Sequence, residues 1–141
     1  MPNKAYALEW LNLAKKNLDT ARLLIKENHY TDSIALEIHQ TIEKSFKAVF
    51  AYHSIAIPRT HSLTILFRFV CEKIQIDESR IDELIVISDY YETDRYPGPK
   101  YIIPSRTEVE TNFEYAEELY FKILESLTSV QNMQFPTTAD L

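Results

Sequence analysis

Residues 32–53 read DSIALEIHQTIEKSFKAVFAYH, and this stretch decides the fold. Ala35, Ile38, Ile42, Phe46, Val49 and Phe50 recur every three or four residues, so they form one apolar stripe along an α-helix. Gln40, Glu43, Lys44 and Lys47 share the same helical spacing and make a compact polar band. Glu43 stands four residues before Lys47, the favourable order for a helical ion pair, worth about 0.2–0.5 kcal/mol on a surface. Spacing alone favours a band that faces water. A central helix, with core on one side and a polar cleft or partner on the other, has the same pattern.

The remainder of the 141-residue chain extends that helical reading. A hydrophobic content of 45% suffices for a single domain with its own core, and one glycine with period-3.6 patterning almost throughout predicts an all-α protein. No internal repeat, low-complexity tract or linker interrupts it. The net charge of −6 supplies no general field for nucleic acid, so any RNA contact must be local. Cys71 is the one cysteine, which excludes an intrachain disulfide and fits a reducing cytoplasm. No apolar run reaches the roughly 18–20 residues of a membrane span, and the N-terminus lacks the apolar region of a signal peptide.

From the N-terminus, the first helix is expected over about Lys4 to Lys26. Ala7, Leu11, Ala14, Leu18, Ala21 and Ile25 keep the 4-3-4-3-4 spacing of an antiparallel bundle seam. Tyr6, Trp10 and Leu13 make a second apolar face, which suits either a dimer contact or broad burial inside the monomer. After the central helix, Pro58 disfavours helical geometry at Ile57. Thr60 is a candidate cap for a third helix ending near Lys73, with Leu63, Leu66, Phe67 and Val70 inward. Asp77 is a candidate cap for a fourth helix ending near Tyr91 or Thr93. Its run Leu84-Ile85-Val86-Ile87 predicts near-complete burial. Residues 94–104, DRYPGPKYIIP, form a loop stiffened by three prolines. Ser105-Arg106-Thr107-Glu108 matches a capping box and opens a last helix through about Leu127. The expected organisation is a bundle over 1–129 and a flexible tail over 130–141.

Three segments in this order resemble a known family. They are His39-Gln40-Thr41-Ile42-Glu43-Lys44-Ser45-Phe46-Lys47-Ala48, Pro58-Arg59-Thr60-His61-Ser62-Leu63 and Asp94-Arg95-Tyr96-Pro97. Together with the long first helix they are similar to HEPN domains (higher eukaryotes and prokaryotes nucleotide-binding), over roughly residues 5 to 127. The resemblance implies an up-and-down bundle of four or five helices that commonly forms a homodimer. It also implies a role beside a minimal nucleotidyltransferase, in toxin–antitoxin-like or drug-modification systems, or else a metal-independent ribonuclease. The ribonuclease branch carries R-x4-6-H at the start of the last helical segment, the Arg stabilising the anionic phosphorane and the His moving a proton. Arg95 stands where that Arg is expected, but no His follows it, the last His of the chain being His61. The hallmark is absent. Arg22 through six residues to His29 is a formal match. It lies in the first helix and its turn, where seven residues separate the Cα atoms by about 10 Å, and it reads as coincidence: a solvated Arg22 and a turn residue.

Other chemistry is sparse. The four His are dispersed and join no Cys, so no zinc-like spacing exists, and no metal or cofactor is expected. His39 and Glu43 are i, i+4, which two metal ligands would tolerate and a surface hydrogen bond explains more simply. Serine and cysteine nucleophile motifs and glycine-rich phosphate loops are missing. Tyr90, Tyr91, Tyr96 and Tyr101 read as core or interface filler as readily as base-stacking platforms. The expected nucleotide- or partner-binding residues are Glu43, Lys47, His61, Arg95, Tyr96 and Lys100. Arg95 and Lys100 would offer charge-assisted donors to phosphate and Tyr96 an aromatic face to a base, if their loop folds over the polar band. A Glu43–Arg95 ion pair that orients the loop is the alternative. For Arg95 alone, complementing the fourth helix's dipole is worth about 0.3–1 kcal/mol. His61, at a helix start, is otherwise structural. The reading is therefore a non-catalytic binding module, with an atypical ribonuclease lacking the usual histidine as the alternative.

Overall fold

The computed structural model describes residues 2–93, 97–99 and 102–133. These form five helices, α1 (Lys4–Lys26), α2 (Thr31–Tyr52), α3 (Leu63–Lys73), α4 (Ile81–Thr93) and α5 (Arg106–Met133), with no strand among the described residues. α2 packs against each of the other four helices. The all-α bundle is as the periodicity predicts, with α2 at its centre.

The helix ends follow local chemistry. The Asn3 side chain caps α1 by accepting the Tyr6 N–H at 3.1 Å. α1 and α2 both end without glycine. Asn28 (φ 56°) and Ser54 (φ 58°) take the left-handed conformation instead. The following N–H groups reach back across the last turn, His29 to the Leu24 carbonyl at 2.9 Å and Ile55 to that of Phe50 at 3.0 Å. Asparagine tolerates this conformation through its short polar side chain, whereas a serine there bears a strain of roughly 1–2 kcal/mol.

Three starts or stops differ from the sequence reading. Ser62, not Thr60, caps α3, its hydroxyl accepting the Ile65 N–H, while Thr60 turns the chain by accepting the Ser62 N–H at 3.1 Å. Asp77 accepts the N–H and hydroxyl of Ser79 in a turn ahead of α4 rather than capping it. α5 continues to Met133, beyond the end read near Leu127. Ser105 does cap α5, accepting the Glu108 N–H at 3.0 Å.

The core is built on α2. Ile34, Ile38, Ile42 and Phe46 are fully buried there, facing Ala7, Leu11, Ala14, Leu18 and Ala21 of α1. The alternation of alanine and leucine lets the two helices approach closely along their length. Each such leucine or isoleucine contributes about 1.5–3 kcal/mol by leaving water. α3 runs in the same direction as α2, because the 53–62 segment returns along the bundle. His39 meets His61, Phe46 stacks on Phe67 at 5.5 Å, and Phe50 stacks on Phe69 at 4.3 Å. α4 then reverses, its Ser88 hydroxyl accepting the Leu63 N–H at 3.0 Å. α5 reverses again, Tyr90 donating to Glu108 at 2.6 Å and accepting from Asn112 at 2.8 Å.

α4 corrects the expected near-complete burial. Leu84 and Ile87 are buried, but Ile85 and Val86 are each 45% exposed. Four consecutive residues cannot share one face at 100° per residue, so the run is amphipathic despite its composition. On α1, Tyr6 and Leu13 likewise remain exposed beside the half-buried Trp10. Among the described residues, no helix is long and apolar enough to cross a membrane.

Candidate functional site: a buried carboxylate beneath an exposed imidazole

The polar band of α2 does not simply face water. Glu43 and Lys47 are 5% and 7% exposed, and His39, one turn earlier, is wholly buried. The reason lies on either side. α1 covers one edge of the band, where Lys44 donates to Asn17 at 2.9 Å and Asn17 donates to Glu37 at 2.8 Å. The entry to α3 and the end of α4 cover the other, with His61 and Tyr91.

Glu43 is the hub. Lys47 Nζ donates to Glu43 Oε2 at 2.7 Å, and His61 Nδ1 lies 3.2 Å from both carboxylate oxygens. A carboxylate oxygen only accepts, so His61 Nδ1 carries a proton in this contact, and in a neutral ring the lone pair is on the opposite nitrogen, Nε2. The His61 side chain is 48% exposed, unlike the groups beneath it. Its ring lies on Tyr91, the planes 14° apart and the centroids separated by 3.8 Å. Lys47 is further confined by the Trp10 ring, 6.0 Å from its ammonium.

His39 completes the arrangement from below. Its Nε2 donates to the His61 carbonyl at 3.0 Å and so holds the α3 entry against α2. Its Nδ1 stands 3.5 Å from Glu43 Oε1, too far for a hydrogen bond, and this buried nitrogen has no donor among the described residues. Burial pushes the His39 ring down to about 4, against the attraction of Glu43, so it is neutral at physiological pH.

Of the six expected binding residues, the fold brings Glu43, Lys47 and His61 together. Arg95, Tyr96 and Lys100 lie outside the described residues. Two participants differ from the sequence reading. His39, expected to make a surface hydrogen bond, is a buried part of the cluster. Tyr91, expected to be filler as readily as a platform, is the plate beneath His61. The i, i+4 spacing of His39 and Glu43 is the one visible sign of the first, and no sequence feature marks the second.

The formal Arg22–His29 match carries no site. Arg22 is not a free solvated charge: it bridges Asp19 at 2.9 Å and Glu117 at 2.6 Å and lies over the Phe113 ring. The backbone carbonyl of His29 accepts from Arg106 at 2.7 Å. Among the described residues, no three His, Cys, Asp or Glu side chains converge as metal ligands would.

Comparison with known proteins agrees with this architecture. TT1696 from Thermus thermophilus superposes with a TM-score of 0.74 at 23% identity, over 85% of this chain and 97% of that one. ST0689, described as an archaeal HEPN homologue, gives a TM-score of 0.68 at 16% identity, over 86% and 98%. In sequence, the chain is 32% identical over 104 residues to MJ1304 of Methanocaldococcus jannaschii, named as a candidate toxin, across 69% of this chain and 67% of that protein. The family model of the HEPN domain matches residues 7–127, nearly the whole five-helix bundle, and the chain belongs to the HEPN family.

Proposed function

We propose that this HEPN chain is the nucleotide- or RNA-binding member of a toxin–antitoxin-like pair, acting as a homodimer beside a minimal nucleotidyltransferase. The observation that carries the reading is the stacked His61–Tyr91 pair, with its exposed imidazole anchored on Glu43. Lys47 compensates the charge of Glu43 internally, so the carboxylate repels an incoming phosphate less than an unpaired one would. The two stacked rings extend naturally to a third, and stacking a base on such a surface contributes about 1–3 kcal/mol. α4 ends at Thr93, and Arg95 follows within two residues, a reach of at most about 7 Å. Arg95 and Lys100 then supply the phosphate donors and Tyr96 a further aromatic face. The similarity to a candidate toxin supports the toxin–antitoxin setting.

Fluorescence anisotropy with labelled single-stranded RNA, competed by adenosine nucleotides, tests this. Arg95→Ala and His61→Ala are each expected to weaken binding roughly tenfold or more, and Arg95→Ala to leave the melting temperature nearly unchanged. Absence of binding by the parent, together with a lowered melting temperature in Arg95→Ala, would make Arg95 structural and sink the reading.

One observation favours a second reading, the atypical ribonuclease. Although no His follows Arg95, His61 directs Nδ1–H at a carboxylate, so that its neutral form would present a basic Nε2 opposite, as a general base needs. Such a base removes the 2′-hydroxyl proton, the 2′-oxygen attacks phosphorus, and the P–O5′ bond breaks with the 5′-oxygen taking a proton from water, giving a 2′,3′-cyclic phosphate and a 5′-hydroxyl. Cleavage that vanishes in His61→Ala and falls in Glu43→Gln would select this reading over simple binding.

A further inference from the structure

A cavity with a largely apolar lining and a few charged side chains lies at the other end of α3, whose 11 residues put about 16 Å between it and His61. Its volume is about 600 Å³, and it is formed where the ends of α2 and α3 meet the last turns of α5. Ile74 and Leu127 give it an apolar floor. Lys73, Lys122 and His53 line it, against one carboxylate, Glu125. In a chain of net charge −6, this concentration of cations runs against the overall balance.

Among the described residues no carboxylate lies within ion-pair distance of Lys73, which stands in the last turn of α3, or of Lys122, whereas Arg22 and Arg80 each hold two carboxylates. Lys73 lies over the Phe69 ring at 5.5 Å, and His53 meets Phe69 and Tyr52 edge-on at 6.1 and 5.1 Å. Burial, and then the charge of Lys73, hold the His53 ring below the usual imidazole range. An anion placed between them would relieve that repulsion. The Ser126 hydroxyl already donates to the Lys122 carbonyl at 2.8 Å, so the charged donors to a ligand are the two lysines, with His53, Gln75 and the Tyr52 hydroxyl beside them.

We infer that this cavity is a binding site for a small phosphate ester with an aromatic or apolar body, distinct from the Glu43–His61 site. The phosphoryl oxygens sit between Lys73, Lys122 and His53, and the body lies against Tyr52, Ile74 and Leu127. Two fixed cations and a histidine able to take up a proton match a dianion better than a single carboxylate. A volume of this size is ample for such a ligand.

The test is a titration of the full-length protein with phenyl phosphate at constant ionic strength, read on the histidine ring resonances by NMR, with His53 assigned through His53→Gln. The expected result is a saturable shift of the His53 resonances with those of His61 unmoved. Benzoate should bind more weakly. Lys73→Gln and Lys122→Gln, both at exposed positions, should each lower affinity roughly tenfold. A drift that never saturates, unchanged affinity in both lysine variants, or a response confined to His61 overturns the assignment.

Discussion

Removing the Glu43 carboxylate is the perturbation whose outcome the structure defines most sharply. In Glu43→Ala, Lys47 keeps its ammonium in a place that is 7% exposed, beneath Trp10, with its partner at 2.7 Å gone. His61 simultaneously loses the acceptor of its Nδ1 proton. Leaving one charge of a buried pair uncompensated costs about 3–5 kcal/mol. That is a large fraction of the roughly 5–15 kcal/mol that holds a domain folded. At this chain length it should lower the melting temperature by on the order of 10 °C. The argument also dictates the rescue. Glu43→Leu combined with Lys47→Met removes both charges, and burying apolar groups of similar size should recover most of the loss. Urea denaturation of the two single variants and the double, at fixed protomer concentration, gives the coupling directly. A single-variant cost below about 1 kcal/mol, or a double whose loss equals the sum of the singles, would show that the pair is solvated and the burial argument wrong.

Three further outcomes follow from the same geometry. The folded His39 ring takes its proton near 4 and the unfolded one near 6.5, so the unfolded state binds more protons in between. Stability therefore falls as pH drops through that window, by up to about 3 kcal/mol, and pH-dependent urea denaturation should lose that component in His39→Gln. Phe46→Ala removes a fully buried ring stacked on Phe67 and should cost about 3–5 kcal/mol; a loss under about 1 kcal/mol would contradict its central place. The exposed Tyr6 and Leu13 on α1, with Ile85 and Val86 on α4, favour a homodimer whose melting temperature rises with protomer concentration. Light scattering that returns the monomer mass at tens of micromolar protein would refute it.

What the chain's own pattern determined was the secondary structure and its inward faces. The seam of α1 and the stripe of α2 were both legible, since a 3.6-residue period leaves few ways to bury Ala7 through Ala21 or Ile38 through Phe50. The order of the polar segments was enough to indicate the HEPN family. Composition misled on α4, because a run of four apolar residues reports hydrophobicity without saying how much surface the neighbours will cover. The burial of Glu43 was beyond sequence reading for a related reason. Periodicity assigns residues to a face of their own helix, but whether that face meets water depends on what the rest of the chain lays over it. Only the return of the 53–62 segment, which sets α3 parallel to α2, brings His61 across 18 residues to Glu43 and Tyr91 beneath its ring. The same packing decides the protonation of His39, because desolvation is a property of the assembled interior and not of the residue.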